Sequence, residues 1–148
     1  MKTIQLTKGA KAIVDDDDFE RLNGFSWQFN GRYAARKENG KTILMHRCIM
    51  GFKNKYVTDH INGDKLDNRK DNLRVCTQSQ NIANSKKSKL NTSGYKGVCY
   101  DKRLKRYRSY IRKDRIMYNL GLFATPELAH LAYAAKAIEF FGEFARLE

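Results

Sequence analysis

Apolar and polar positions alternate at the start of the chain. Ile4 and Leu6 sit between polar neighbours, and Ala12-Ile13-Val14 follows a turn at Lys8-Gly9, which predicts paired strands. Asp15, Asp16, Asp17 and Asp18 precede Phe19 and Leu22. Acids favour the positive end of a helix dipole, so this run predicts a short helix pinned by Phe19 and Leu22 and ended by Asn23-Gly24. Phe25, Trp27 and Phe29 alternate as one strand face. Asn30-Gly31 marks a hairpin turn, Tyr33 to Arg36 the return strand, and Asn39-Gly40 a second turn before the strand Thr42-Ile43-Leu44-Met45. A short helix over 46–50 leads to the strand Tyr56-Val57-Thr58, a break at Asn62-Gly63, a short apolar strand within the run Asp71 to Thr77, and a helix from Gln78.

The last third predicts strands at Tyr95 to Tyr100, Arg106 to Arg112 and Ile116 to Leu120. In the middle one, Tyr107, Ser109 and Ile111 face one way, and Arg106, Arg108, Tyr110 and Arg112 the other. Thr125 caps a final helix, Pro126 takes its first position, and Glu127 favours its positive end. Leu128, Ala132, Ala135 and Ile138 recur at helical spacing as its expected core stripe, and Gly142 stops it.

Charge changes the picture more than length does. The 148 residues suit one ordinary domain or two small ones, and the net charge of +13 favours a polyanionic partner. The excess is local: residues 86–118 hold 12 Lys/Arg against 2 Asp, whereas residues 119–148 hold 2 Lys/Arg against 4 Glu. The predicted strands are therefore the basic surface and the helix is not. No apolar run reaches the roughly 18 residues of a membrane span. The N-terminus lacks the apolar core of a signal peptide, so a reducing cytosol is the expected setting. Cys48, Cys76 and Cys99 are far apart and contain no CxxC, so they read as small buried or half-buried thiols rather than a zinc site. The basic run Ser85-Lys86-Lys87-Ser88-Lys89 through Gly94 reads as a linker, solvated or lying along phosphates.

Chemistry concentrates between residues 58 and 81. Thr58-Asp59-His60-Ile61-Asn62-Gly63-Asp64 is followed by Asp67-Asn68-Arg69, Asp71-Asn72-Leu73-Arg74 and Gln80-Asn81. Carboxylate, imidazole and amide on one small frame are the parts needed to hold a hard metal ion and activate water beside a phosphate. The run closely resembles the HNH motif of the His-Me finger (ββα-metal) nucleases, in particular phage- and intron-borne homing endonucleases. The resemblance implies that His60 is the general base and that Asp59 and Asn81 are ligands of one divalent metal, Mg²⁺ or another ion such as Mn²⁺. It also implies that Asn72 holds the finger loop, and that the products carry 5′-phosphate and 3′-hydroxyl ends. A neutral imidazole takes a proton from water, and one carboxylate plus one amide leaves room on the ion for water and phosphate oxygens. Asp64, Asp67, Asn68 and Asp71 read mostly as turn and cap formers. His46 reads either as a phosphate contact or as a hydrogen-bonded structural histidine; Arg47 and Arg74 are further candidates for phosphate. Gln80 stands where many members of the family carry an acid.

Three strands and a helix carrying Tyr95-Lys96-Gly97-Val98, Leu120-Gly121-Leu122-Phe123, Pro126-Glu127 and Phe141-Gly142 resemble the AP2/ERF DNA-binding domain, whose sheet lies in the major groove. That resemblance puts Lys96, Arg108, Tyr110, Arg112, Met117 and Asn119 on the DNA-facing surface. Arg106, Arg115 and the linker residues Lys86 and Lys87 join them as candidate contacts. Cys99, Asp101 and Ala134 depart from the plant members, so their sequence preference does not transfer.

The expected architecture is α+β: a β-rich start leading into a ββα-metal finger, then a three-stranded antiparallel sheet packed on one helix. The expected divisions are an HNH domain over 1–85 (core finger 46–85), a linker over 86–93 and an AP2-like domain over 94–148. The expected function is a metal-dependent, site-specific homing endonuclease acting on double-stranded DNA, nicking one strand. It is expected to be a monomer without a small-molecule cofactor or a membrane partner, in the cytoplasm of a bacterial or phage-infected cell. The competing readings are a DNA-binding regulator that does not cleave and an RNA-binding protein; exposed tyrosines permit base stacking.

Overall fold

A computed structural model describes residues 1–51 and 56–148. The chain is mixed α and β, with several small sheets, and folds as two units, Met1–Thr77 and Gln78–Glu148.

In the first unit β1 (Lys2–Gln5) pairs antiparallel with β2 (Lys11–Val14), and α1 (Asp16–Asn23) follows directly. The acids at its start do more than meet the dipole. Asp15 accepts the backbone N–H of Lys70 at 2.7 Å, and Asp18 pairs with Arg21 and with Lys70. A second sheet runs β3 (Gln28–Phe29), β4 (Ala34–Glu38), β5 (Lys41–Leu44). The alternation at Phe25, Trp27 and Phe29 overstates its first strand. Trp27 is buried and donates to the carbonyl of Leu22, whereas Phe25 is exposed and carries the Arg36 guanidinium on its ring. Met45, expected to end β5, begins α2 (Met45–Met50) and is wholly buried. Ile4, Ala12, Val14, Leu22, Trp27, Ala34 and Met45 form this unit's core. Beside it, β6 (Val57–His60) pairs antiparallel with β7 (Leu73–Cys76).

The second unit begins with α3 (Gln78–Ala83), which was expected to belong with the preceding strands. The division falls ahead of α3 because Ala83 joins the C-terminal core with Ile111, Tyr133, Ala137 and Phe141. Ser79 also accepts the backbone N–H of Asp114, and Ala83 that of Arg146. Three antiparallel strands follow: β8 (Val98–Asp101), β9 (Arg106–Lys113) and β10 (Ile116–Phe123), with β9 central. Helix α4 (Pro126–Phe141) packs on them, its start capped by the Thr125 hydroxyl and its end at Gly142.

The rotation of α4 differs from the expected one. Ala129, Tyr133, Ala137 and Phe141 face the sheet, while Leu128, Ala135 and Ile138 are exposed and Ala132 is half-buried. The helix is apolar on most of its circumference, so periodicity alone offers two stripes. Contact with the sheet selects one of them: Tyr133 lies flat over Gly97, whose φ of 73° and missing Cβ admit the ring. Among the described residues no helix is long and apolar enough to cross a membrane.

Candidate nuclease site

Strands β6 and β7 bring Asp59 opposite Arg74 and His60 opposite Leu73. Directly opposed residues share a face of an antiparallel pair. Arg74 accordingly donates from both Nε and Nη2 to Oδ2 of Asp59, each at 3.1 Å. Asp59 is 1% exposed and His60 not at all, so both side chains are packed inside the first unit.

The loop after β6 is stitched by its own side chains. Gly63, at φ 82°, lets its N–H return to the carbonyl of His60 at 2.9 Å. Asn62 accepts from the N–H of Asp64, and Asp64 from that of Leu66. Asp67 is buried, receives the amide of Asn62 and takes three bonds from Arg69, two of them from the guanidinium, which hold its carboxyl below the usual range. Asn72 closes the loop: its amide oxygen accepts from the N–H of Asn62 at 2.9 Å, and its amide nitrogen donates to the carbonyl of Asp67 at 2.8 Å. The loop is anchored to β2, where the N–H of Ile13 donates to the carbonyl of Leu66 and the N–H of Asn68 to the carbonyl of Ile13, both at 2.8 Å.

Asn68, read from the sequence as a turn or cap former, also reaches His60. It is 1% exposed, its Nδ2 donates to the carbonyl of Leu66, and its Oδ1 lies 3.4 Å from Nε2 of His60. Asn-rich loops usually cap themselves, and nothing in the spacing distinguishes this asparagine from its neighbours. Two rings also enclose His60. His46 meets it edge-on at 5.1 Å between centroids, and Tyr33 lies 6.1 Å away. His46 is itself buried against Tyr33, with Arg47 exposed beside it. Burial, then the nearby charge of Lys65, pushes the His60 pKa down to about 4. Burial, then His60, pushes that of His46 down to about 3. Both imidazoles are neutral at physiological pH.

The structure thus gathers Asp59, His60, His46 and Arg74 in the first unit, with Asn72 in the loop behind them. Asn81 lies half-buried on α3 in the second unit. Among the described residues no group of three His, Cys, Asp or Glu side chains is placed to hold a metal by itself. A hard ion that keeps several waters and takes phosphate oxygens asks for one or two protein oxygen donors. The Asp59 carboxylate is a donor of that kind.

The remaining candidates are in the second unit. Arg106, Arg108, Arg112, Arg115 and Asn119 are exposed and Tyr110 half-buried; Arg108 pairs with Asp101, and Asn119 accepts the N–H of Gly121. Lys86 and Lys87 are exposed, the latter donating to the carbonyl of Gly94. Lys96, expected on the outward face, turns inward instead. Its ammonium donates to the carbonyls of Ala83, Ser85 and Arg146.

Comparison with known proteins agrees with the chemistry of the first unit. Residues 50–83 match a family described as HNH endonuclease. A protein of Acanthamoeba polyphaga mimivirus named an uncharacterized HNH endonuclease is 29% identical over 145 residues, covering 93% of this chain and 74% of its own. Protein 3.8 of Escherichia phage T7 is 33% identical over 91 residues, covering 62% of this chain and 74% of its own. No solved structure matches.

Proposed function

Because the chain belongs to the HNH endonuclease family and is therefore a nuclease, a phosphodiester hydrolase, we propose that it is a metal-dependent, site-specific endonuclease of the homing type acting on duplex DNA. The observation that carries this reading is the buried neutral His60 beside the buried Asp59.

His60 takes the proton from the attacking water. The amide of Asn68 sets which nitrogen does so. Its Nδ2 is committed to the Leu66 carbonyl, so its oxygen faces Nε2 of His60 and accepts that N–H. The tautomer protonated at Nε2 carries its basic lone pair on Nδ1. The hydrogen bonds of Asn72 fix the loop that bears Asn68, and with it the imidazole plane. Asp59 would be a ligand of one divalent ion, Mg²⁺ or Mn²⁺, which would supply charge stabilisation at the phosphate and at the leaving 3′ oxygen. Arg74 pairs with the Asp59 carboxylate from the facing strand and orients it. The outward face of β9, with Arg106, Arg108, Tyr110 and Arg112, and the neighbouring Arg115 and Asn119, contacts the duplex, in keeping with the charge of this segment. One such site per monomer cuts one strand.

The test is cleavage of supercoiled plasmid carrying a random-site library, with Mg²⁺ or Mn²⁺, by the native protein and by His60→Ala. Open-circle product, dependent on metal and lost in His60→Ala, is the expected result. Linear product from a single encounter would overturn nicking. Salt-sensitive binding without any cleavage would favour the regulator, and preference for RNA over duplex in competition would favour the RNA-binding reading.

A further inference from the structure

The second unit contains a cleft of about 330 Å³ just ahead of β8, beside the later part of β9. Ile82, Ile111, Tyr133 and Phe141 supply apolar and aromatic lining, and Tyr110 stands at one side. Lys86, Lys87, Lys96 and Arg112 bring positive charge to the same cleft.

Lys96 distinguishes this cleft from an ordinary basic surface. Its ammonium sits among three backbone carbonyls, and all three of its N–H bonds are used. Among the described residues no carboxylate pairs with Lys96, Lys86 or Arg112. Burial, then the charge of Arg146, pushes the Lys96 pKa down to about 8, consistent with a cation lacking a counter-charge. Carbonyl dipoles hold such an ammonium in place without cancelling its charge, and a partly desolvated cation acts strongly on an anion brought near it.

We propose that this cleft binds one nucleotide unit of a single DNA strand. The base rests on the apolar lining beside Tyr110, and its phosphate meets Lys86 and Arg112 over the half-buried charge of Lys96. An apolar floor with a cationic rim is the arrangement that single-stranded nucleic acid requires: stacking for the base, and charge for the backbone. The cleft's volume suits one nucleotide rather than a duplex. The inference extends the DNA-acting reading above to a strand already unpaired, and rests on that reading for its ligand.

The test is fluorescence anisotropy of a 5′-labelled single-stranded hexanucleotide on the full chain at fixed salt, with plasmid cleavage measured on the same preparations. Lys86→Ala with Arg112→Ala is expected to weaken binding at least tenfold. Lys37→Ala with Lys41→Ala, which removes the same charge from the exposed end of the β4–β5 hairpin, is expected to change it less than threefold. Tyr110→Ala, and a hexanucleotide with abasic sites against native protein, are each expected to weaken binding severalfold. Equal loss in the two double variants would overturn the site, leaving only non-specific attraction. Equal binding of the abasic strand would overturn the base contact. Plasmid cleavage by native protein that shows no hexanucleotide binding would overturn the cleft and leave the nuclease reading intact. Hexanucleotide binding of the expected pattern without any cleavage would do the reverse.

Discussion

Asn68 holds its amide oxygen 3.4 Å from Nε2 of His60 while its amide nitrogen is committed to the carbonyl of Leu66. The contact is long for a hydrogen bond, so its effect lies in selecting a tautomer more than in binding energy. Asn68→Ala is expected to lower kcat by about tenfold, the scale of lost orientation of a catalytic base, with KM for DNA little changed. Asn68→Asp places a negative charge on Nε2 and should move the acidic limb of the pH–rate profile upward. Single-turnover cleavage across pH checks both. A fall in KM-dependent terms alone would refute the assignment.

The two buried histidines make the first unit sensitive to acid. Their folded pKa values, about 3 for His46 and about 4 for His60, lie below the ordinary value of 6.5. The unfolded chain therefore binds protons first as pH falls. The stability is complete above 6.5 and is lost progressively as pH drops from there toward the folded values. Between pH 7.5 and 5 the expected loss is about 2 kcal/mol for each histidine, an upper figure for groups that are buried together. Urea midpoints measured in a chelating buffer check this, and a midpoint independent of pH over that range would contradict it.

Arg74 reaches Asp59 from the facing strand with two nitrogens. Arg74→Met removes that guanidinium from a carboxylate that is 1% exposed. The metal-free protein is expected to lose about 3 kcal/mol, the usual cost of breaking a buried pair. Millimolar Mg²⁺ should then raise the melting temperature of the variant more than that of the native chain. Thermal melts with and without Mg²⁺ decide the matter, since an equal shift in both would mean that the ion does not reach Asp59.

Gly97 has a φ of 73°, and a Cβ there would collide with the Tyr133 ring. Gly97→Ala combines left-handed strain with overpacking, for an expected loss of about 2–5 kcal/mol. Tyr133→Ala in the Gly97→Ala background removes the collision, so the second substitution should cost less there than alone. A double-mutant cycle by urea denaturation measures that coupling.

What could be read in advance follows from how local each signal was. Strands β9 and β10 and the ends of α4 were legible because Thr125-Pro126-Glu127 and Gly142 act within a few residues of themselves. The rotation of α4 was not, because Ala129 and Ala132 are alike to any periodicity; Gly97, some thirty positions earlier, makes the choice. Likewise Asp59 and His60 stood out by their order, while Asn68 looked like any loop asparagine until β2 fixed its backbone. Lys96 read as a surface cation because the three carbonyls that receive it come from α3, the linker and the last residues of the chain.

The bridge between Ile13 and Asp67 joins positions that leave the ribosome far apart in time. The β1–β2 pair joins residues close in sequence, but the loop after β6 can close on that edge only when residue 68 arrives. Contacts of such long sequence separation are slow to form. The loop that bears Asn68 is therefore expected to take its final shape late in its unit, on an edge supplied by residues made much earlier.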